Sequence, residues 1–313
     1  MKKTLIIGGA GFVGTYLAER LIDDGAEVHS TCLPSEKIAD SRCISHTLDI
    51  LDKNAVLQLF NEVKPDVIYH LAAQSSVALS WKNPQLTVDI NIKGALNVLD
   101  ALRDSEVKNS RIILIGSGEE YGYIREGACP ISEEELLRPG NIYAVTKACQ
   151  SMIGSIYARA YKMDIIMVRA FNHIGARQLP QFVVSDFCKQ VAEIEKGIRP
   201  AEMSVGNLEA KRDFTDVRDV VRAYTMLAEN GKTGELYNVG SGKAIKIREL
   251  LDIIISLSNS EINVSIDSNR LRPSDVPIIE ADISKITSDT GWTPEIPVEK
   301  TIEDTLNYWR NNI

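Results

Sequence analysis

The segment TLIIGGAGFVGTYLAERLIDD, residues 4–24, limits the possible folds more than any other stretch of the chain. A short apolar run leads straight into a segment of helical period, and Gly8, Gly11 and Gly14 form GxxGxxG at the junction. Lack of a Cβ lets the backbone turn tightly and approach a pyrophosphate, whose charge is met by the N-terminus of the following helix. Three glycines alone would be weak evidence. The strand before them and the helix after them favour a dinucleotide cradle, which Phe12 and Val13 would share, over a bare tight turn.

The same alternation continues along the chain. Strand-like runs are expected at 27–32, 46–50, 66–73, 111–117 and 164–172, with helices between them, including 84–104 and 143–161. This rhythm predicts parallel strands joined by crossover helices, an α/β doubly wound parallel sheet of the Rossmann type. After Phe171 glycine and proline interrupt the pattern, with helices expected near 182–197, 215–230, 246–257 and 299–311. A dinucleotide-binding domain over 1–170 and a smaller α/β substrate domain over 171–313, partly interleaved with the sheet, are therefore expected.

A formal charge of -8 argues against a long basic face for nucleic acid. Cysteines at 32, 43, 129, 149 and 188 form no CxxC pair, which suits reduced thiols in a cytoplasmic protein. The histidines show no ligand spacing, so no metal site is expected. The basic, apolar start is short and broken by glycine, unlike a signal peptide, and no long apolar stretch suggests a membrane span.

An NAD-selective site usually places a carboxylate at the end of the second strand. Cys32, Leu33 and Pro34 stand there instead. With no carboxylate to repel a 2′-phosphate, NADPH is the expected cofactor, with NADH tolerated. Asp49 and Ile50, after the third strand, would flank the adenine, although Asp49 also fits a helix cap.

Tyr143 and Lys147 are four apart on a helical segment and share one face. Such a pair arises easily by chance. Its place after the strand that ends in Ser117 puts all three groups at the carboxyl edge of the sheet, where ligands bind. An ammonium beside the phenol would lower its pKa, letting Tyr143 exchange a proton with a substrate oxygen held by Ser117.

Several separated stretches, GGAGFVG, HLAAQSSV (70–77), NIKGALNVLDA (91–101), GSGEEYG, YAVTK, VRAFNHIG (168–175), KRDFTDVRD (211–219) and GWTPEI (291–296), together resemble the extended short-chain dehydrogenases/reductases that act on nucleotide sugars. FNHIGARQ, FVVSDFCKQVAEIEKG and VGNLEAKRDFTDV are most similar to GDP-4-dehydro-6-deoxy-D-mannose reductases. The resemblance implies reduction of a GDP-linked 4-keto-6-deoxy sugar by NAD(P)H, with GDP-D-rhamnose as product and a homodimer formed through the helices at 84–104 and 143–161. It assigns catalysis to Ser117, Tyr143 and Lys147, with Glu119 beside them. Leu71, Ala72, Ala73 and Asn91 would line or support the cofactor site. Gln74, Asn172, His173, Val183, Lys189, Arg212 and Arg272 would hold the sugar nucleotide, the two arginines gripping its diphosphate.

Plain alternatives exist for several of these. Asn91 also fits a helix cap, His173 a buried loop histidine, and Arg212 and Arg272 surface ion pairs. Related dehydratases carry a glutamate base where Glu119 stands, so a GDP-mannose 4,6-dehydratase or a 4-epimerase is the competing reading. Ile174 counts against the dehydratase, since FNHES there becomes FNHIG here. A non-catalytic nucleotide sensor is disfavoured by the joint presence of Ser117, Tyr143 and Lys147.

Overall fold

A computed structural model of the chain describes residues 2–125, 127–267 and 276–313. β1 (Lys3–Ile7) turns through the glycines into α1 (Phe12–Asp23), followed by β2 (Glu27–Cys32), β3 (Ile44–Thr47), α2 (Lys53–Val63) and β4 (Val67–His70). Next come α3 (Val77–Lys82), α4 (Pro84–Val88), α5 (Ala95–Asp104), β5 (Arg111–Ile115), α6 (Ile142–Tyr161) and β6 (Ile165–Ala170). With β10 (Leu236–Val239) these strands form one seven-stranded parallel sheet in the order β10-β6-β5-β4-β1-β2-β3. Strands β4, β5 and β6 are buried nearly throughout because helices cover both faces. α1 packs on one face, and α2, α5 and α6 cover the other. The strand order reverses between β1 and β4, which opens the crevice where ligands bind in such sheets.

The later part of the chain supplies more than the expected helices. It contains β7 (Asn172–Ile174), α7 (Val183–Glu195), β8 (Glu202–Val205), β9 (Lys211–Asp216) and α8 (Val217–Asn230). After β10 follow β11 (Ala244–Lys246), α9 (Ile247–Ser256), β12 (Asn263–Ile266), β13 (Ile278–Ile279), α10 (Ser284–Thr290) and α11 (Val298–Asn312). β7, β11 and β13 gather around β9 in a small mixed sheet, while β8 and β12 form a separate pair. Apolar faces of α7, α9 and α11 close a core of their own around Phe187, Leu250 and Leu306. α8 and α10 instead pack with α1 on the large sheet, and the fully buried Trp292 locks them there by donating its ring N–H to Asp219 O at 3.0 Å.

Two expected elements differ. The single helix over 84–104 is α4 and α5 joined by a π-helical turn at Asp89–Gly94. Within that turn the Asn91 amide meets the backbone of Gln74 from both sides, at 2.8 and 3.0 Å. Gly94 admits the Ile50 side chain, which would lie 2.5 Å from an added Cβ. The third strand lies at 44–47 and not 46–50, because Asp49 turns the chain by accepting Leu51 N–H at 2.9 Å.

Candidate active site

A cleft of about 1880 Å³ runs over the carboxyl edge of the sheet, from the glycine turn to β9. Gly8 has φ +90°, and an added Cβ would lie 2.7 Å from the Ala72 backbone. At Gly14 a Cβ would meet Gly9 Cα at 2.6 Å, so α1 sits on the turn only because that position is glycine. α1 begins with no side-chain cap and no acidic residue in its first turn. Its free N–H groups face a cleft wall made by Gly11, Phe12 and Val13 and suit a pyrophosphate. Leu71, Ala72 and Ala73 after β4, and Asp49 and Ile50 after β3, line the same wall. The residues present therefore fit a dinucleotide.

At the reacting end, Ser117 follows β5 and opens a short 3₁₀ turn, Gly118–Glu120. Its hydroxyl accepts Glu119 N–H at 3.2 Å, and the wholly buried Glu120 takes Ser117 N–H at 2.9 Å. Arg169 from β6 neutralises Glu120 at 2.9 Å. Asn141 caps α6 through Ala144 N–H at 2.8 Å, which brings Tyr143 and Lys147 to the cleft floor. The Tyr143 side chain lies close enough to that of Ser117 for the two to interact. Burial pushes the Tyr143 pKa well above the ordinary value, the nearby Ser117 side chain opposes this, and Glu119 and Glu120 add to the rise.

The Lys147 amine is held at the end of β5. Its Nζ donates to Ile115 O at 2.7 Å and to Gln150 Oε1 at 3.3 Å. Burial lowers the amine to about 8, with Glu120 opposing. Tyr143 is thus a buried phenol whose neutral form burial favours.

Asn172, His173, Val183, Glu119 and Arg212 also line the cleft. His173 stacks on Phe12 at 6.1 Å, keeps a contact of 3.1 Å to Phe171 O, and is depressed in pKa by burial. Glu119 accepts from the Asn141 amide at 3.2 Å. Arg212 donates to Lys211 O and Val276 O, which tethers β9 to the chain before β13. Three expected residues stand apart from the cleft wall. Gln74 spends its amide on Thr87 Oγ1 at 2.8 Å and Ser76 O at 3.1 Å. Asn91 supports Gln74 and Thr146 from behind. Lys189 points along α7 to Glu193, 3.6 Å away, and over the Trp309 ring. Arg272 lies outside the described residues.

Sequence reasoning overlooked two cleft residues. Glu36 lies past Cys32, yet a tight turn brings its Oε2 to Leu33 N–H at 3.0 Å, so a carboxylate does stand at the end of β2. A reading confined to the two residues after the strand could not find it; the acid four places on was the available signal. Tyr224 reaches the cleft from α8, where its place in a helical apolar stripe reads simply as core.

Residues 5–305 match the family described as GDP-mannose 4,6 dehydratase. A GDP-6-deoxy-D-mannose reductase of Pseudomonas aeruginosa is 31% identical over 312 residues, which span 100% of this chain and 98% of that protein. A GDP-mannose 4,6-dehydratase of Yersinia enterocolitica is 29% identical over 96% of this chain and 91% of its own. Among solved structures, RMD from Pseudomonas aeruginosa complexed with NADPH superposes with a TM-score of 0.90 at 30% identity, covering 100% of both chains. A UDP-glucose 4-epimerase of Thermotoga maritima, solved with UDP-glucose, has a TM-score of 0.89 at 27% identity over 99% of each chain. On the match across residues 5–305, this chain belongs to the GDP-mannose 4,6 dehydratase family, within the extended short-chain dehydrogenases/reductases of nucleotide sugars.

Proposed function

We propose that the protein reduces the C4 ketone of GDP-4-dehydro-6-deoxy-D-mannose with NADPH, giving GDP-D-rhamnose. The observation that carries this is the placing of Ser117, Tyr143 and Lys147 together at the cleft floor, with the Tyr143 phenol kept neutral by burial. NADPH supplies the hydride when bound. Ser117 orients the carbonyl oxygen, and Tyr143 gives its proton to the oxyanion that forms there; such a general acid supplies about 10²- to 10⁴-fold in rate. Lys147 holds positive charge beneath the site from the Ile115 carbonyl. Asn172, His173, Val183 and Arg212 form the sugar-nucleotide wall. Glu36 offers an acceptor for an adenosine ribose hydroxyl, which would let NADH bind as well.

The dehydratase reading keeps one specific support, because Glu119 lines the cleft close enough to Tyr143 to raise its pKa. The two reactions differ in reductant. Incubation with GDP-4-keto-6-deoxymannose should consume one NADPH per sugar, followed as loss of absorbance, with the product identified by NMR. Ketone left unchanged by folded protein would overturn the proposal; water loss from GDP-mannose without added NADPH would install the dehydratase in its place.

The working unit we propose is a cytoplasmic homodimer. Val145, Met152 and Ile156 form an exposed apolar stripe on α6, beside exposed Trp81 and Val88 from α3 and α4. Two such faces from two copies would bury each other as a helical bundle. No helix among the described residues is long and apolar enough to cross a membrane.

A further inference from the structure

Tyr224 is wholly buried on α8, and its hydroxyl has no hydrogen-bond partner among the described residues. An unpaired buried hydroxyl disfavours the folded state, and phenylalanine would fill the same space without that cost. The group is not lost in the core, because Tyr224 lines the cleft in common with Ile115, Ala170 and Tyr143. Helical side chains lean toward the N-terminus of their helix. For α8 that end is Val217, which together with Phe12 at the start of α1 packs against Gly175. Tyr224 also lies near Tyr143. The hydroxyl is therefore set beneath the reacting end of the cleft and not beneath its adenine end near Asp49.

We infer that the Tyr224 hydroxyl binds the nicotinamide mononucleotide half of the dinucleotide, completing with the ligand a hydrogen bond that the protein alone leaves unmade. This rests on the reductase reading, which puts that half of the cofactor beside Tyr143. Tyr224 would be a positioning residue for the cofactor and take no part in proton transfer.

Titration calorimetry with NADPH and with 2′,5′-ADP, which lacks the nicotinamide half, tests it on wild type and Tyr224→Phe. The expected result is NADPH binding weakened about 3- to 10-fold by the substitution, the usual worth of one hydrogen bond, with 2′,5′-ADP unchanged. Without ligand, Tyr224→Phe should melt at or above the wild-type temperature. A variant that binds NADPH as tightly as wild type, or loses both ligands alike, overturns the inference and leaves the reductase reading standing. Wild-type protein that binds neither ligand overturns both.

Discussion

Replacing Lys147 with methionine isolates the cost of keeping a cation beneath the reacting end. Lys147 is only 4% exposed, and its amine finds just a carbonyl and an amide oxygen, Ile115 O and Gln150 Oε1. Burial brings its pKa from 10.5 to about 8. Between those two values the unfolded chain keeps a proton that the folded protein has released. The stability associated with Lys147 is therefore fully present above pH 10.5 and is lost as the pH falls through 8. At about 1.4 kcal/mol for each pKa unit, the whole difference is on the order of 3 kcal/mol, of which about 2 kcal/mol accrues between pH 7 and 9.5. Methionine keeps most of the stem volume and removes the titration. Ile115 O retains its second donor, Gln150 Nε2, at 3.1 Å. Urea unfolding at the two pH values is then expected to show Lys147→Met losing about 2 kcal/mol relative to wild type as the pH rises. Parallel pH profiles would refute the reasoning, because they would mean a well-solvated amine at this position.

Three further outcomes follow from the same site. Tyr143→Phe should lower the reduction rate by about 10²- to 10⁴-fold while NADPH affinity, read by calorimetry, changes little; loss of binding in step with rate would make Tyr143 a scaffold residue. Gly14→Ala forces a Cβ to within 2.6 Å of Gly9 Cα, so dinucleotide binding should fall by more than about tenfold and the melting temperature should drop. Met152→Lys puts a charge in the exposed stripe of α6 and should give a monomer in sedimentation, with the fold intact by circular dichroism.

The parts of the fold legible in the sequence are those set by local chemistry. β1, the glycine turn and α1 follow from a buried apolar run, a missing Cβ and a helical stripe, and they appear within a residue or two of expectation. The long helical period of α6 likewise placed Tyr143 and Lys147 on one face, while the Asn141 cap that starts the helix came only with the structure. What escaped depends on partners distant in sequence. β10 is a four-residue strand that owes its place to pairing with β6, about 70 residues earlier in the chain. The π turn at Asn91 exists because that amide must reach the Gln74 backbone, which no helical period announces. Glu36 required a folded loop to return to β2. The direction of the Lys147 amine was equally hidden, since an i,i+4 spacing says that two side chains share a face and nothing about which neighbouring carbonyl captures one of them.

That last point bears on the direction of the reaction. An enzyme that begins by oxidising an alcohol needs a base, and a phenol serves as one only when something stabilises its anion. Here the Tyr143 phenol is buried, beside Ser117 and flanked by Glu119 and Glu120, all but the serine acting against the anion. Glu120 is paired with Arg169, and the Lys147 amine, at about 8 still protonated near neutral pH, is held by Ile115 O and Gln150 Oε1. A site so arranged, when paired with a neutral dihydronicotinamide, stores a proton until an oxyanion stronger than phenolate appears next to it. Ketone reduction produces such an oxyanion at its first step, and alcohol oxidation must wait for the opposite transfer. A buried phenol that holds its proton is the group that the proposed ketone reduction requires at this position.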